Sequence, residues 1–275
     1  MSAIAEHGMN PGRIVLTTVS ALVLAFLVAP VVIIVVISFS NSELLTFPPP
    51  AYSLRWYSKL FSDPGWRHSF AISLKVAFLT VALSALIGLP ASFALVRGKF
   101  KGKDFVYAIL LSPMIVPTII TAIALYFFFA RMNATGSVVA MALGHTVLAL
   151  PTVVIIMGAT LQGFDQRLEQ AAFNLGASRL YALRRITLPL IAAGVLSAML
   201  FAFLTSFDDL LIPLFLSGML NETLSVKMWN GLRYSADPLI AAVSSFLIWV
   251  TAVVLISTSL LKRRKRDGVT DNTRS

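Results

Sequence analysis

Long apolar runs alternate with short polar segments along almost the whole chain. Six runs can be delimited, at residues 14–39, 70–96, 105–130, 138–161, 190–216 and 238–261. Each is longer than the roughly 20 residues that a helix needs to cross a ~30 Å hydrocarbon core at ~1.5 Å per residue. The pattern therefore predicts an all-α, polytopic membrane protein with six transmembrane helices.

Prolines lie inside five of these runs, at Pro30, Pro90, Pro113, Pro117, Pro151 and Pro213. A proline removes one backbone hydrogen bond and kinks a helix, and neighbouring helices can satisfy the freed carbonyl within a membrane. We therefore expect kinked spans. Between the first two runs, an amphipathic stretch at residues 54–61 predicts a segment that lies at the membrane interface.

Composition limits the class of protein. Hydrophobic residues make up 57% of the chain, charged residues make up 12%, and the mean hydropathy is +0.85. These values exclude a soluble globular protein. Cysteine is absent, which excludes disulfides, thiol catalysis and cysteine-based metal sites. The first apolar run is too long for a signal-peptide core, so we expect it to remain as an uncleaved span.

No group of residues has the pattern of a catalytic centre or a metal site. His7, His68 and His145 are scattered without ligand spacing. We interpret His145, in the fourth run, as a hydrogen-bonded packing residue, with a functional role as the alternative. The phosphate-binding pattern G-x-x-x-x-G-K-[ST] is absent, so we expect no ATP hydrolysis and no bound cofactor in this chain.

Basic residues are distributed unevenly between the segments that join the runs. With the N-terminus inside, the cytoplasmic segments 1–13, 97–104, 162–189 and 262–275 hold 15 Lys and Arg, whereas the outer loops hold 6. Positive charge is enriched in cytoplasmic loops, so we expect both termini in the cytoplasm. The KRRKR run at 262–266 directly follows a span. We interpret it as an anchor to anionic lipid rather than as a nucleic-acid or phosphoinositide patch.

A polar segment at residues 163–189, GFDQRLEQAAFNLGASRLYALRRITLP, has the pattern of helix, break and helix. Asp165 and Ser178 are placed to cap the two helices, and Gly176 interrupts the chain between them. The first helix is predicted to have a small apolar face, formed by Ala171, Ala172 and Leu175. Two short helices lying flat on the membrane would form a rigid, protruding surface to which another protein can bind.

This segment resembles the cytoplasmic "EAA" loop of the membrane subunits of binding-protein-dependent ABC importers. The matching positions are Gln170, Ala171, Ala172, Gly176, Ile186, Leu188 and Pro189. In that family the loop carries the coupling helix, which sits in a cleft of the ATP-hydrolysing subunit. The resemblance therefore implies a coupling surface that comprises Glu169, Gln170, Ala171, Ala172, Gly176 and Ala177. The alternative is an ordinary amphipathic interfacial helix between two spans.

One position departs from the family pattern. The first residue of the motif is usually Glu, whereas here it is Gln170, with Glu169 one residue earlier. Glutamine keeps the shape of glutamate but lacks its charge. An ion pair from this position to the ATPase is therefore in doubt.

Two adjacent carboxylates, Asp208 and Asp209, lie inside the fifth run. A charge at membrane depth costs roughly 2.5–3.5 kcal/mol on insertion scales, so it is expected to face water or a partner rather than lipid. On a continuous helix, Thr205 shares one side with both residues. We therefore predict that Thr205, Asp208 and Asp209 line a substrate pathway. The alternatives are an ion pair to a neighbouring helix and the capping of a helix broken before Pro213.

The region around this pair and the outer loop that follows it look like the membrane subunits of spermidine/putrescine importers, and the similarity covers roughly residues 70–261. The resemblance implies the type I ABC importer permease fold, in a bacterial inner membrane. It also implies three partners: a dimer of ATP-binding subunits that carries the ATP, a second permease subunit in a heterodimer, and a periplasmic substrate-binding protein. Aminoethylphosphonate or another small organic solute stays open as the substrate beside a polyamine.

Other classes fit the residues less well. A secondary transporter would show an internal repeat, and a membrane-embedded enzyme would place acids or histidines on several facing spans. A structural protein would have no need for paired aspartates at membrane depth. The expected division of the chain is a first span with its periplasmic loop at 1–68, a permease core at 69–261 with the coupling loop at 163–189, and a basic cytoplasmic tail at 262–275.

Overall fold

The computed structural model describes residues 11–234 and 237–252, and within them the fold is all-α, as predicted. The helices are α1 (Pro11–Ser38), α2 (Arg55–Ser62), α3 (Pro64–Arg97), α4 (Lys103–Leu111), α5 (Thr118–Arg131), α6 (Val138–Gln162), α7 (Arg167–Asn174), α8 (Arg179–Ala182), α9 (Leu188–Asp208), α10 (Leu211–Leu216), α11 (Leu224–Tyr234) and α12 (Leu239–Ala252). A 3₁₀ turn, Ser112–Met114, follows α4, and a π-helical turn, Leu183–Thr187, joins α8 to α9.

The chain divides into two compact units. The larger one comprises residues 65–229, and the smaller one comprises the described parts of 1–64 and 230–275. In the smaller unit, Tyr57 of α2 joins two other helices: its Oη lies 2.8 Å from Ser38 Oγ and donates to Ser245 Oγ at 3.0 Å. The division expected at residue 69 stays a prediction, and the basic tail at 262–275 lies outside the described residues.

Four helical segments in the described part of the chain are long and apolar enough to cross a membrane: Val15–Ser38, Pro64–Arg97, Val138–Gln162 and Arg179–Asp208. A bent pair, Lys103–Met114 with Thr118–Arg131, makes a fifth if it is taken as one span. Helix α12 is shorter, and residues 253–261 of the predicted sixth span lie outside the described residues. A multi-pass membrane protein is therefore confirmed, and the count of six stays a prediction.

Two of the predicted spans differ from the structure. The third run is not one kinked helix, because α4 and α5 meet at an angle of 100°. Pro117 precedes the first residue of α5 and cannot donate a backbone hydrogen bond, so the chain turns there. The fifth run is also broken: α9 ends at Asp208, and Asp209 and Leu210 are non-helical before α10 begins. Pro90 and Pro151, by contrast, lie inside continuous helices.

Helix α6 forms the centre of the larger unit, since 56% of its apolar window is buried. Its buried side chains, which include Val153, Met157 and Leu161, pack against Ile191 and neighbouring residues of α9. The two helices approach most closely at Gly194. A Cβ atom on this glycine would lie 2.2 Å from Thr160 Oγ1, so only glycine fits. Small residues commonly allow such close helix contacts in membranes, where packing rather than hydrophobicity drives association.

Gly194→Ala is expected to destabilise the protein, because the added Cβ would also lie 2.8 Å from Thr160 Cβ, which side-chain rotation cannot move. The helices must then separate, at the cost of about 1–3 kcal/mol that is typical of overpacked sites. The melting temperature of the purified protein in detergent measures this loss. Gly158→Ala on α6 is the control, since nothing lies within 4 Å of its added Cβ. Equal melting temperatures for the two variants would contradict the close approach.

Candidate functional site

The segment between α6 and α9 has the predicted order of helix, break and helix. Gly176 follows α7 with φ of +88°, in the left-handed region that favours glycine. The amides of Gly176 and Ala177 donate to carbonyls of the last turn at 2.9 and 3.0 Å, which closes a Schellman motif. Ser178 and Asp165 accept backbone amide hydrogen bonds at the starts of α8 and α7, at 3.3 and 2.9 Å. The segment is therefore a locally specified, rigid element.

Most of the predicted coupling surface is accessible. Gln170 and Ala171 are exposed, and Leu175 is 89% exposed. Of the small apolar face predicted for the first helix, Ala172 is buried, whereas Ala171 and Leu175 are exposed. A concavity of about 890 Å³ opens on this side of the segment, lined by Ala172, Leu175, Gly176, Ala177, Ser178, Tyr181, Arg185 and Ile186.

Glu169 differs from the rest of this surface, because its side chain is only 13% exposed. Both carboxylate oxygens accept hydrogen bonds from Arg97 Nη1, each at 2.9 Å. Thr187, buried in the π-helical turn, donates its hydroxyl to Glu169 Oε1. The side chain is thus engaged inside the chain, and a direct contact between Glu169 and an ATPase stays a prediction.

Arg97 is the last residue of α3, and its side chain contacts two aromatic rings. Its guanidinium carbon lies 5.1 Å from the ring centre of Phe93 and 5.4 Å from that of Phe164. Contacts of this kind attract a cation to the electron-rich face of the ring. Sequence analysis did not identify Arg97, since it was counted only as one of several loop charges.

The predicted acidic pair is separated by the break after α9. Asp208 is exposed, and the side chain of Asp209 is only 12% exposed. Asp209 Oδ2 accepts the amide hydrogen bond of Ile212 at 2.8 Å, so this residue caps α10. Thr205 is half-buried one turn before Asp208. The prediction that both carboxylates share one side of a continuous helix is wrong, and the capping alternative describes Asp209.

A buried polar network lies beside Asp209. His145 is 1% exposed, with Nε2 lying 3.4 Å from Asp209 Oδ2 and Nδ1 lying 2.6 Å from Ser206 Oγ. Ser206 donates to Thr80 Oγ1 at 3.2 Å, and the Thr80 hydroxyl lies 2.9 Å from Val76 O and 3.3 Å from Ala142 O. Helices α3, α6 and α9 are therefore joined by hydrogen bonds among apolar side chains. His145 is the hydrogen-bonded packing residue that the sequence favours.

Aromatic rings cluster on the last two turns of α9, before the exposed Asp208. Phe203 and Phe207 stack with ring centres 5.5 Å apart and planes 11° apart. Phe78 lies 5.4 Å from Phe203, and Phe70 lies 6.2 Å from Phe207. Sequence analysis did not single out these rings, although the four-residue spacing of the pair on α9 places them on one helix face. Asp208 directly follows Phe207, so an exposed carboxylate and aromatic residues, both of which can attract a cation, belong to the same end of α9.

Comparisons with known proteins agree with this geometry. The family model for a binding-protein-dependent transport system inner membrane component matches residues 84–267. The chain is 30% identical to the spermidine/putrescine transport system permease protein PotC of Escherichia coli (strain K12) over 259 residues, which cover 94% of this chain and 98% of that protein. It is also 30% identical to the putrescine transport system permease protein PotI of the same strain over 270 residues, which cover 95% of each chain.

The backbone is also similar to a solved structure, that of a bacterial ABC transporter involved in the import of the acidic polysaccharide alginate. The TM-score is 0.66 at 14% identity, and the match covers 92% of this chain and 98% of the other. At this identity the likeness concerns the fold, which is that of an ABC importer permease. With a family model that spans more than half of its length and relatives that align over almost all of it, the chain belongs to the family of binding-protein-dependent transport system inner membrane components.

Proposed function

We propose that this permease subunit admits a small organic cation of the polyamine class in an ATP-driven importer. The observation that carries the proposal is the exposed carboxylate of Asp208, at the end of the helix that holds the stacked Phe203 and Phe207, while Asp209 is engaged internally. A carboxylate and aromatic faces are the groups that attract an alkylammonium ion.

The choice of substrate rests on these side chains rather than on the fold. The structural neighbour takes part in the import of an acidic polysaccharide, so one fold serves substrates of opposite charge. PotC and PotI are named as spermidine and putrescine permeases, in agreement with a cationic substrate. Aminoethylphosphonate carries both signs of charge, and its transport in place of a polyamine is the competing outcome.

The proposal includes three partners. An ATP-binding subunit pair docks on the exposed segment around Leu175 and hydrolyses the ATP. A second permease subunit completes the pathway, and a substrate-binding protein delivers the cation from the outside. The excess of basic residues in four segments supports an orientation in which both termini and the coupling segment face the cytoplasm.

The direct test is uptake by the assembled complex. Proteoliposomes that contain this chain, its partner permease and the ATPase should import radiolabelled spermidine or putrescine when ATP and the loaded binding protein are supplied. An excess of aminoethylphosphonate should not compete. ATP-dependent uptake of aminoethylphosphonate without uptake of either polyamine would overturn the assigned substrate class.

The two aspartates are expected to respond differently. Asp208→Asn keeps the size of the side chain but removes its charge, and should lower polyamine uptake about 10-fold or more, equivalent to the ~1.5–3 kcal/mol of a hydrogen bond to a charged group. The melting temperature should stay unchanged. Asp209→Ala is the control: it removes the cap of α10 and should lower the melting temperature. Normal uptake by Asp208→Asn complexes would exclude Asp208 from the pathway.

Orientation and docking can be tested with single cysteines, because the chain has none of its own. In inverted membrane vesicles, a membrane-impermeant maleimide should label Leu175→Cys, and bound ATPase should protect it. Met219→Cys, at a fully exposed loop residue, is the matched control and should react only in right-side-out vesicles. Labelling of Leu175→Cys from the outside would reverse the orientation and remove the docking surface.

A further inference from the structure

Four parts of the larger unit converge on one ion pair beneath the coupling segment. Glu169 belongs to the first turn of α7, and Arg97 ends α3. Thr187, which donates to the same carboxylate, ends the π-helical turn that leads into α9. Phe164, whose ring covers the guanidinium, follows directly after α6. The pair is thus the place where the coupling segment meets the cytoplasmic ends of three long helices.

The contacts make this meeting point rigid. The carboxylate has both oxygens on Arg97 Nη1 and a third hydrogen bond from Thr187. The guanidinium lies near two aromatic rings, and its Nε and Nη2 atoms are buried without a hydrogen-bond partner among the described residues. Removal of either charge leaves the other one buried and unpaired, which is far more costly than the loss of an exposed ion pair.

We propose that the Glu169–Arg97 pair is the joint that transmits displacement of α7 to helices α3 and α9. An ATPase that moves the exposed face of α7 cannot move it independently of Arg97, because the inward face carries the carboxylate. Glu169 and Arg97 are accordingly positioning residues, which act on the transport helices rather than on ATP or substrate. This inference rests on the proposed docking of an ATPase at the coupling segment.

The pair predicts a specific defect in Glu169→Gln and Arg97→Gln. Basal ATP hydrolysis is measured on the same assembled complexes and serves as the reference for stimulation. The stimulation of hydrolysis by the loaded binding protein and the uptake per complex should each fall about 10-fold, within the usual range of coupling between sites. The double variant should be no worse than either single variant, since both changes break the same contact. Lys99→Gln is the matched control, because it removes an exposed charge two residues beyond Arg97.

Restoring the link between α3 and α7 with a chemical cross-link distinguishes transmission of movement from a purely structural role of the pair. Arg97→Cys combined with Glu169→Cys creates the only two thiols of the chain, because the sequence has no cysteine. A short bis-methanethiosulfonate reagent that bridges them should restore coupled hydrolysis, and dithiothreitol should abolish it again. A stimulated rate per complex that stays close to normal in Glu169→Gln would overturn the proposal. The same holds if uptake falls only in proportion to the amount of complex assembled.

A second readout does not depend on transport. Hydrogen exchange of the purified chain should become faster in residues 167–174 of Glu169→Gln than in the native chain, while exchange in α6 stays unchanged. Unchanged exchange in α7 would overturn the joint even if the complex transports its substrate. If exchange in α7 of the purified variant is faster but the assembled complex imports neither polyamine, the proposed joint is supported and only the proposed function is contradicted.

Discussion

A polar group that lies away from water must find its partner within the protein, and this constraint organises both polar regions of the molecule. At one end of α9, Asp209 turns inward to the amide of Ile212 and towards His145. At the other end, Glu169 turns inward to Arg97 and Thr187. Asp209 binds a backbone amide and Glu169 binds two side chains, and in each case the neighbour in sequence stays outside. The exposed groups, Asp208 and Gln170, are left free to meet a substrate or another protein.

Features that depend on local chemistry could be predicted from the sequence. Gly176 breaks the coupling segment because few other residues adopt its positive φ, and Ser178 caps the helix that follows. The long helices could be predicted in the same way, because the length of an apolar run is a property of that segment alone. The likeness to importer permeases was visible in the same residues.

Features that depend on distant residues could not be predicted. The inward turn of Glu169 requires Arg97, which is 72 positions away and looked like one more loop charge. The break at Asp209 was predicted only as an alternative, because a continuous helix satisfies the same apolar pattern, and the cap on Ile212 decides between the two. The right angle between α4 and α5 was underestimated for a similar reason: prolines predict a kink, whereas the packing around them sets its size.

The close contact between Gly194 of α9 and Thr160 of α6 limits how the larger unit can change shape. Because a single methyl group cannot be accommodated between this glycine and Thr160, α6 and α9 cannot slide past each other without first separating. We therefore expect the two helices to move together as one rigid unit, with the coupling segment, residues 163–189, at one end and Asp208 and Asp209 at the other. Any change of shape in this unit then falls to the places where the described chain already bends, which include the corner between α4 and α5 and the non-helical step at Asp209 and Leu210.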